Sequence, residues 1–563
     1  MPRKQPNRRR FHLAAGTLAL ATSLTTKPIW ADQQQYSADV VIIGGGLGGC
    51  AAALASLRNG LSVVMTEPTD WLGGQLTSQG VPPDEHKDIE THGANRSYRE
   101  LRQAIRAYYR ENYRLTDQAK NTEHFNPGRG SVSRLCCEPR VAVAALESLF
   151  KSSIESGKLT LLYNVTPTNA DCTGDRVNSV EVTSSVTGRT TQLIGKYFVD
   201  ASELGDLLPL TGTEFVTGAE SIAETGELHA ASIANPDNQQ AFTVCFAIDY
   251  DASANHVIEQ PKEYAFWRDY VPQLTPAWSG RLLDLNYSSP RTLQPKLLGF
   301  DPTGAPTAGS LNLWNYRRLI DHQQFLPGQF DSDVSLVNWP QNDYFLGNLV
   351  GVSAEHAAQH VQRAKLLSLS LLYWLQTEVP RKDGGNGYPG LRLRRDIMGT
   401  EDGLAKAPYI RESRRIRSEF TILESHVGRA QREQQFTGDA AKRAELFTDS
   451  VGVGSYAIDL HPSTTGDNYI DFETHPFQIP LGALLPIRVA NLLPACKNIG
   501  TTHLTSGCYR LHPVEWGIGE SVGCLIAFAT QRNQTPRGVR AKPELLSEFQ
   551  NWIRKQGIET RWS

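Results

Sequence analysis

Four consecutive apolar β-branched residues, Val40 to Ile43, open the patterned part of the chain. An unbroken run of this kind predicts a central parallel strand covered on both faces. Small apolar residues from Cys50 to Leu57 then predict a helix with a narrow face, closed by Gly60, and Leu61 to Met65 predict a second strand. Further along, Pro139 to about Phe150 reads as a helix and Leu159–Tyr163 as a strand, and Val177–Val182 with Thr191–Phe198 reads as a hairpin. Tyr98 to Tyr113 supplies the helix of a cap inserted between residues 68 and 138. Ala241–Tyr250 predicts a strong strand. Within Ser353–Thr377, Val361, Ala364, Leu367, Leu371 and Leu375 recur at three and four residues and predict an amphipathic helix ended by Pro380. Between Asp251 and Gln341 the periodicity fades, which predicts irregular excursions around a cavity. Near the end, Pro513 opens a glycine-rich helix in which Gly519, Gly523 and Ala527 recur every four residues. Their small face is expected to let that helix approach a sheet closely.

The glycines give the first part of this pattern a chemical meaning. Gly44, Gly46 and Gly49 form GxGxxG directly between the first strand and the first helix. Gly44 permits the tight turn, Gly46 lets the backbone approach a pyrophosphate, and Gly49 lets helix and strand pack closely. Backbone N–H groups at the helix start would meet the phosphate charge. Glu67 ends the second strand 23 residues beyond Gly44, where a carboxylate can accept the ribose hydroxyls of an adenosine. Strand, glycines, small-faced helix, second strand and acid in this order predict dinucleotide binding.

With these motifs the chain resembles bacterial FAD-dependent oxidoreductases that have a two-dinucleotide-binding, glutathione-reductase-like fold. The resemblance extends to Gly73, Gly74 and Gln75, which would line the pyrophosphate or ribityl region of FAD. It also covers the strand ending Val199-Asp200-Ala201-Ser202, which would bring Asp200 and Gly205 beside the cofactor. Ser202 and Glu203 stand where the family's pattern has threonine and glycine. The C-terminal helix, with Gly517, Gly519 and Glu520, is similar to the family's second FAD segment, as is the Arg411–Ile416 run. The resemblance implies an α/β fold: a Rossmann-like FAD-binding domain built from two distant segments, with an intervening α+β substrate domain. The implied boundaries are 36–240 and 461–542 for the FAD segments, 241–460 for the substrate domain and 543–563 for a tail.

A flavin carries the electrons, so the protein must orient the substrate and manage a proton. The richest stretch for that work is His503–Glu515, with His503, Tyr509, Arg510 and His512. Either histidine is a candidate base, Arg510 could pair with a substrate anion or reduced flavin, and Arg411 is a further candidate for substrate contact. The expected function is hydride transfer between a small organic substrate and FAD, with oxygen, a quinone or a protein as the electron acceptor. A flavin-dependent monooxygenase and a noncatalytic flavin-binding protein are the alternatives. The early glycines stand in a dinucleotide context rather than a nucleophile context, which argues against a hydrolase. His86 and His92, without a further ligand, give no metal site, and eight cysteines without CxxC spacing give neither a metal pattern nor a disulfide scaffold.

Composition adds an address. Residues 1–31 hold six basic side chains and no acid, and the rest of the 563-residue chain is acidic on balance. That balance argues against a nucleic-acid partner. Arg8, Arg9 and Phe11 ahead of a short apolar stretch, Leu13–Leu24, resemble a twin-arginine signal, with Asn7 and His12 as departures. The apolar stretch is too short for a membrane span. The expectation is folded export through the twin-arginine machinery to the periplasm or an equivalent compartment.

Overall fold

The computed structural model describes residues 34–307 and 310–562. The export segment, with Arg8, Arg9 and Phe11, lies outside the described residues. Strand β1 (Gln34–Ile43) leads through the glycine turn into helix α1 (Leu47–Arg58) and strand β2 (Val63–Glu67). The last four residues of β1 are buried, as an all-apolar run at the centre of a covered sheet requires. Helix α2 (Arg96–Asn112) belongs to the insertion after β2, and α3 (Pro139–Glu155), with proline in its first turn, returns the chain to strand β3 (Leu159–Tyr163). Strands β4 (Val165–Thr173), β5 (Arg176–Ser184) and β6 (Thr190–Asp200) follow.

Together they form a mixed sheet in the order β3-β2-β1-β6-β5-β4. The β3, β2, β1 and β6 neighbours run parallel, whereas β4, β5 and β6 run antiparallel. The parallel half ends at Ile43, Glu67 and Asp200, so the carboxyl ends of its strands gather beside the glycine turn. That is where an open α/β sheet binds its ligand. This is a Rossmann-like region.

The middle of the chain builds a second sheet from β7 (Phe246–Tyr250), β8 (Arg318–Ile320), β9 (Val334–Val337) and, after helix α4 (Ala354–Thr377), β10 (Leu391–Leu393). Its order is β8-β9-β7-β10, all antiparallel. The strand expected over Ala241–Tyr250 is broken at Val244–Cys245, and only Phe246–Tyr250 joins this sheet. A separate apolar core fills the space between sheet and α4, with Trp267, Trp314, Trp339, Leu367 and Leu371 all buried. The weakly periodic stretch therefore owes its order to large aromatic side chains, which carry no period of their own.

Strand β11 (Ile458–Leu460) precedes the return to the first sheet. There β12 (Leu492–Pro494) pairs in parallel with the end of β6, matching Pro494 with Asp200. Helices α5 (His503–Tyr509) and α6 (His512–Gln531) complete this part. The small face of α6 lies on α1, not on the sheet. A Cβ at Gly519 would sit 1.9 Å from the Gly48 carbonyl oxygen, and one at Gly523 would sit 2.4 Å from that of Ala52. Among the described residues, no helix is long and apolar enough to cross a membrane.

Candidate functional site

Two cavities meet at the carboxyl ends of the parallel strands. The first, roughly 280 Å³, is lined by Gly44, Gly45, Gly46, Glu67, Gly74 and Glu203, among others. Gly44 has φ +106°, and a Cβ there would fall 2.2 Å from the Ala201 carbonyl oxygen, so the turn admits only glycine. Gly49 is equally confined, with Gly44 O 2.0 Å from its would-be Cβ. Gly46 is different: its nearest neighbours are the carboxylate tips of Glu515 and Glu203, at 3.2 and 3.4 Å. The missing side chain at Gly46 therefore keeps room on the cavity side.

Glu67 is buried at the end of β2. It accepts hydrogen bonds from Gly45 N (3.2 Å), Thr69 N (2.9 Å) and Thr69 Oγ1 (2.7 Å). Burial pushes its carboxyl up to about 7. Gly73, at φ +110°, donates to the Gly45 carbonyl (2.7 Å); of the expected Gly73-Gly74-Gln75 set only Gly74 lines the first cavity. Gln75 donates to the Arg510 carbonyl (3.1 Å) and to Glu515, tying the first-sheet loop to the start of α6. Glu515 Oε1 in turn accepts from Gly48 N (3.0 Å) in the first turn of α1, and Lys497 pairs with Glu203 4.0 Å from Glu515. Burial raises the Glu515 carboxyl, while Lys497 pulls the other way. The sequence reading missed Lys497; its only signal was a lone lysine between apolar stretches. Asp200 faces its own chain, accepting from Ser202 N, Ser202 Oγ (2.6 Å) and Leu207 N (3.1 Å), which fixes the turn that carries Ser202 and Glu203 to the cavity. Gly205 takes φ +67° in that turn.

The second cavity, roughly 450 Å³, lies across a shared wall. Along Ala407–Arg411 the residues divide: Ala407, Pro408 and Ile410 line the first cavity, Tyr409 and Arg411 the second. The remaining lining of the second includes Asp84, Arg317, Asp459, His461 and Arg510. Arg411 is buried, donating to the Ala241 carbonyl (2.9 Å) and Thr243 Oγ1 (3.0 Å) and lying 3.0 Å from Asp343 Oδ1. Arg510 donates to Tyr409 Oη (3.0 Å) and the Asp459 carbonyl (3.0 Å). His461 Nδ1 lies 2.6 Å from Asp343 Oδ2, and its Nε2 is 3.7 Å from Asp459 Oδ2. Against the pull of burial, Arg411 and His461 hold the Asp343 carboxyl below the usual carboxylate range. His461 therefore stands in the cavity wall between two carboxylates, Nδ1 toward Asp343 and Nε2 toward Asp459.

His461, Asp343 and Arg317 were not singled out from the sequence. Asp459 and His461 had a signal, since residues two apart on an extended strand share a face. Arg317 had none.

Other expected site residues lie elsewhere. His512 is fully buried, with Nε2 3.1 Å from the Val81 carbonyl and Nδ1 accepting from Asp84 N (3.2 Å). Both nitrogens are committed to the backbone, so the expectation of a base at His512 is corrected. His503 Nδ1 is 2.8 Å from Glu412, which also binds Arg415 (2.7 Å), and His503 lines neither cavity. Although burial opposes it, Glu412 raises the His503 imidazole above its ordinary value. Tyr509 donates to the Gln478 carbonyl (2.7 Å) and packs on Phe477, also away from both cavities. A Cβ at Gly517 would make ordinary contact with Ile479, Gly519 is spent on α1, and Glu520 binds Arg58 (2.8 Å), Asn95 (2.7 Å) and Ser97 (2.6 Å). These three line neither cavity and serve helix packing in this structure.

The state of His512 sets an acid limit on stability. Burial pushes its imidazole down to about 4. Below its ordinary value near 6.5 the unfolded chain takes up the proton and the folded chain does not, so stability falls as pH falls toward 4. The expected loss from this group is about 3 kcal/mol. His512→Gln keeps a donor and an acceptor but cannot titrate. In urea unfolding its deficit against wild type should shrink from pH 7 to pH 4.5; a constant deficit would show that His512 is not held neutral.

Strand-end glycines, a buried acid at the end of β2 and a cavity lined by both are what a dinucleotide-binding protein is expected to show. Residues 39–552 match the family described as FAD dependent oxidoreductase, and the chain belongs to it. It is a catalytic FAD-dependent oxidoreductase, with FAD as its cofactor. No curated protein matches the chain. Among solved structures, OxyS anhydrotetracycline hydroxylase from Streptomyces rimosus is 12% identical, with 93% of this chain and 67% of that one covered, at a TM-score of 0.31. A geranylgeranyl bacteriochlorophyll reductase-like protein from Thermoplasma acidophilum is 9% identical over 93% and 85%, also at 0.31. L-proline dehydrogenase from P. horikoshii is 15% identical over 33% of this chain and 24% of that chain, at 0.17. At these scores it is the family match that carries the assignment.

Proposed function

We propose that FAD is held by two distant stretches of the chain, residues 36–240 and 461–542, and exchanges two electrons with a small organic molecule in the second cavity. The observation that carries this reading is the shared Ala407–Arg411 wall. It sets a cavity rich in Arg, His and Tyr directly against the one that the glycine turn and Glu67 enclose. The cofactor fits the first cavity by the chemistry of its lining. Gly46 leaves the backbone uncovered, Glu67 offers a carboxylate at the ribose distance, and Lys497 brings a buried positive charge beside the α1 start. Gln79, which also lines it, has a buried side-chain amide with no hydrogen-bond partner at either atom. A polar ligand would satisfy that amide.

Bound there, FAD supplies the electron-accepting ring. The protein's own residues orient the substrate and handle its proton: Arg411 and Arg510 flank the second cavity, and His461, held between Asp343 and Asp459 in its wall, is the imidazole positioned for the proton that leaves with the hydride. The family allows a second reading, in which oxygen is a co-substrate and the organic molecule is hydroxylated, the activity named for the Streptomyces protein. An anaerobic substrate screen separates the two. Under the first reading substrate alone bleaches the oxidised-flavin absorbance. Under the second it does not, and the product formed with an added reductant in air gains one oxygen atom. Binding of candidate substrates with neither outcome would argue against both.

The nucleotide placement has its own test. Glu67→Ala should weaken FAD binding by about 10- to 100-fold, the loss of one or two hydrogen bonds to a charged group, while the saturated variant keeps its visible spectrum. Acid release of the cofactor, followed by mass measurement, reports FAD per chain. Unchanged affinity in the variant would place the adenosine elsewhere.

A further inference from the structure

We infer that the second cavity is built for an organic carboxylate with a flat, apolar body, an inference that rests on the reading of that cavity as the substrate site. The argument is a count of unmet hydrogen bonds. Arg317, Arg411 and Arg510 are all buried in the cavity wall. Each retains at least one buried N–H without an acceptor: Nε and Nη1 of Arg317, Nε of Arg411 and Nε of Arg510. Asn338 Nδ2 and Trp339 Nε1, in the same wall, are a fifth and a sixth unpartnered donor.

Arg317 is the clearest case. It makes no hydrogen bond among the described residues, and Asp84 Oδ1, 3.3 Å from its Nη1, is its one ionic neighbour. A guanidinium carries five donors in a planar fork, and leaving them dry and unpaired is costly. The acids of the same wall do not remove the surplus. Asp459 is taken up by Arg510 and lies beside His461, and Asp471 faces the half-exposed Arg291 at 3.4 Å. One buried lining acceptor, Asp471 Oδ1, lacks a hydrogen bond, against the six donors. A ligand matching this wall brings acceptors, in a planar pair that fits a guanidinium fork. The rest of the lining sets its body: Tyr287, Tyr316, Tyr409 and Tyr469 supply aromatic faces, and Leu298 and Leu313 are apolar. A volume near 450 Å³ suits a small molecule.

The probe pair is phenylacetate and phenylacetamide, which share shape and body and differ in charge. Each is titrated into the FAD-loaded protein while flavin difference absorbance and binding heat are followed. Phenylacetate should bind at least about tenfold more tightly than the amide. Arg317→Gln should weaken phenylacetate by about 30-fold or more and the amide little, with FAD content unchanged, and Arg317→Lys should restore part of the loss. Equal binding of acid and amide, binding of neither, or an Arg317→Gln variant that binds phenylacetate like wild type would each overturn the inference. If Arg317→Gln does not fold, the acid–amide comparison in wild type decides by itself. Wild-type protein that takes up no FAD would instead overturn the placement of the cofactor, which the FAD content reports separately.

Discussion

Gly519→Ala should destabilise the protein by several kcal/mol, whereas Gly517→Ala, two residues away on the same helix, should stabilise it slightly. In the α1–α6 pair a Cβ at position 519 would stand 1.9 Å from the Gly48 carbonyl oxygen, and backbone cannot yield as a flexible side chain can. The helices must separate, opening a buried interface of Ala51, Ala52, Ala55, Val522 and Ile526 and shifting the turn that carries Gly46. Overpacking of this kind costs about 1–3 kcal/mol even in yielding cores, and here it falls on backbone. At Gly517 the nearest atom to a would-be Cβ is 3.7 Å away, ordinary contact. Alanine there gains helix propensity of about 1 kcal/mol. Denaturant unfolding of the FAD-loaded forms, with FAD content measured alongside, checks both. Similar effects at the two positions would mean that α6 does not lie on α1 as described.

His461→Asn should slow flavin reduction by substrate by about 10²- to 10⁴-fold, the usual worth of a positioned general base, with FAD occupancy unchanged. Asn can still donate toward Asp343, so the Asp343–Arg411–Thr243 cluster keeps its partners, and what is lost is the imidazole between Asp343 and Asp459. His503→Ala should behave differently. It removes a partner of the Glu412–Arg415 pair and leaves a buried carboxylate short of one contact, so it should lower stability more than the reduction rate of protein that remains folded. Stopped-flow reduction across pH separates the two cases, because loss of a base alters the pH profile and loss of a structural contact does not. A His461→Asn variant reduced at the wild-type rate, with the wild-type profile, would remove His461 from the proposal.

What the sequence made legible was whatever chemistry is local. The glycine turn, α1 and Glu67 lie within 30 residues, and each residue type there has one geometric reason to be present. An ion pair at the same turn was harder to place. Glu203 stood out only as a departure from a family pattern, and its partner Lys497 lies almost 300 residues away. Of the second cavity only Arg411 and Arg510 stood out in the sequence, since its walls come from Asp84, Arg317, Asn338, Arg411, His461 and Arg510, which only the tertiary fold brings together. His512 shows the opposite failure. It stands among Tyr509, Arg510 and Glu515, a composition that suggests chemistry, yet two backbone bonds and complete burial leave it none to do. The glycines of α6 misled more mildly: their spacing correctly signalled close approach, and the partner proved to be a helix.

On this reading FAD occupies the first cavity and faces the second across Tyr409 and Arg411. A crystal structure of the FAD-loaded protein soaked with phenylacetate tests it most directly. The account expects the adenosine ribose within hydrogen-bonding distance of Glu67, the pyrophosphate against Gly46, and the carboxylate on Arg317 beside the flavin ring. A ribose away from Glu67, or a flavin ring separated from the Arg317–Arg411–Arg510 cavity, would contradict it.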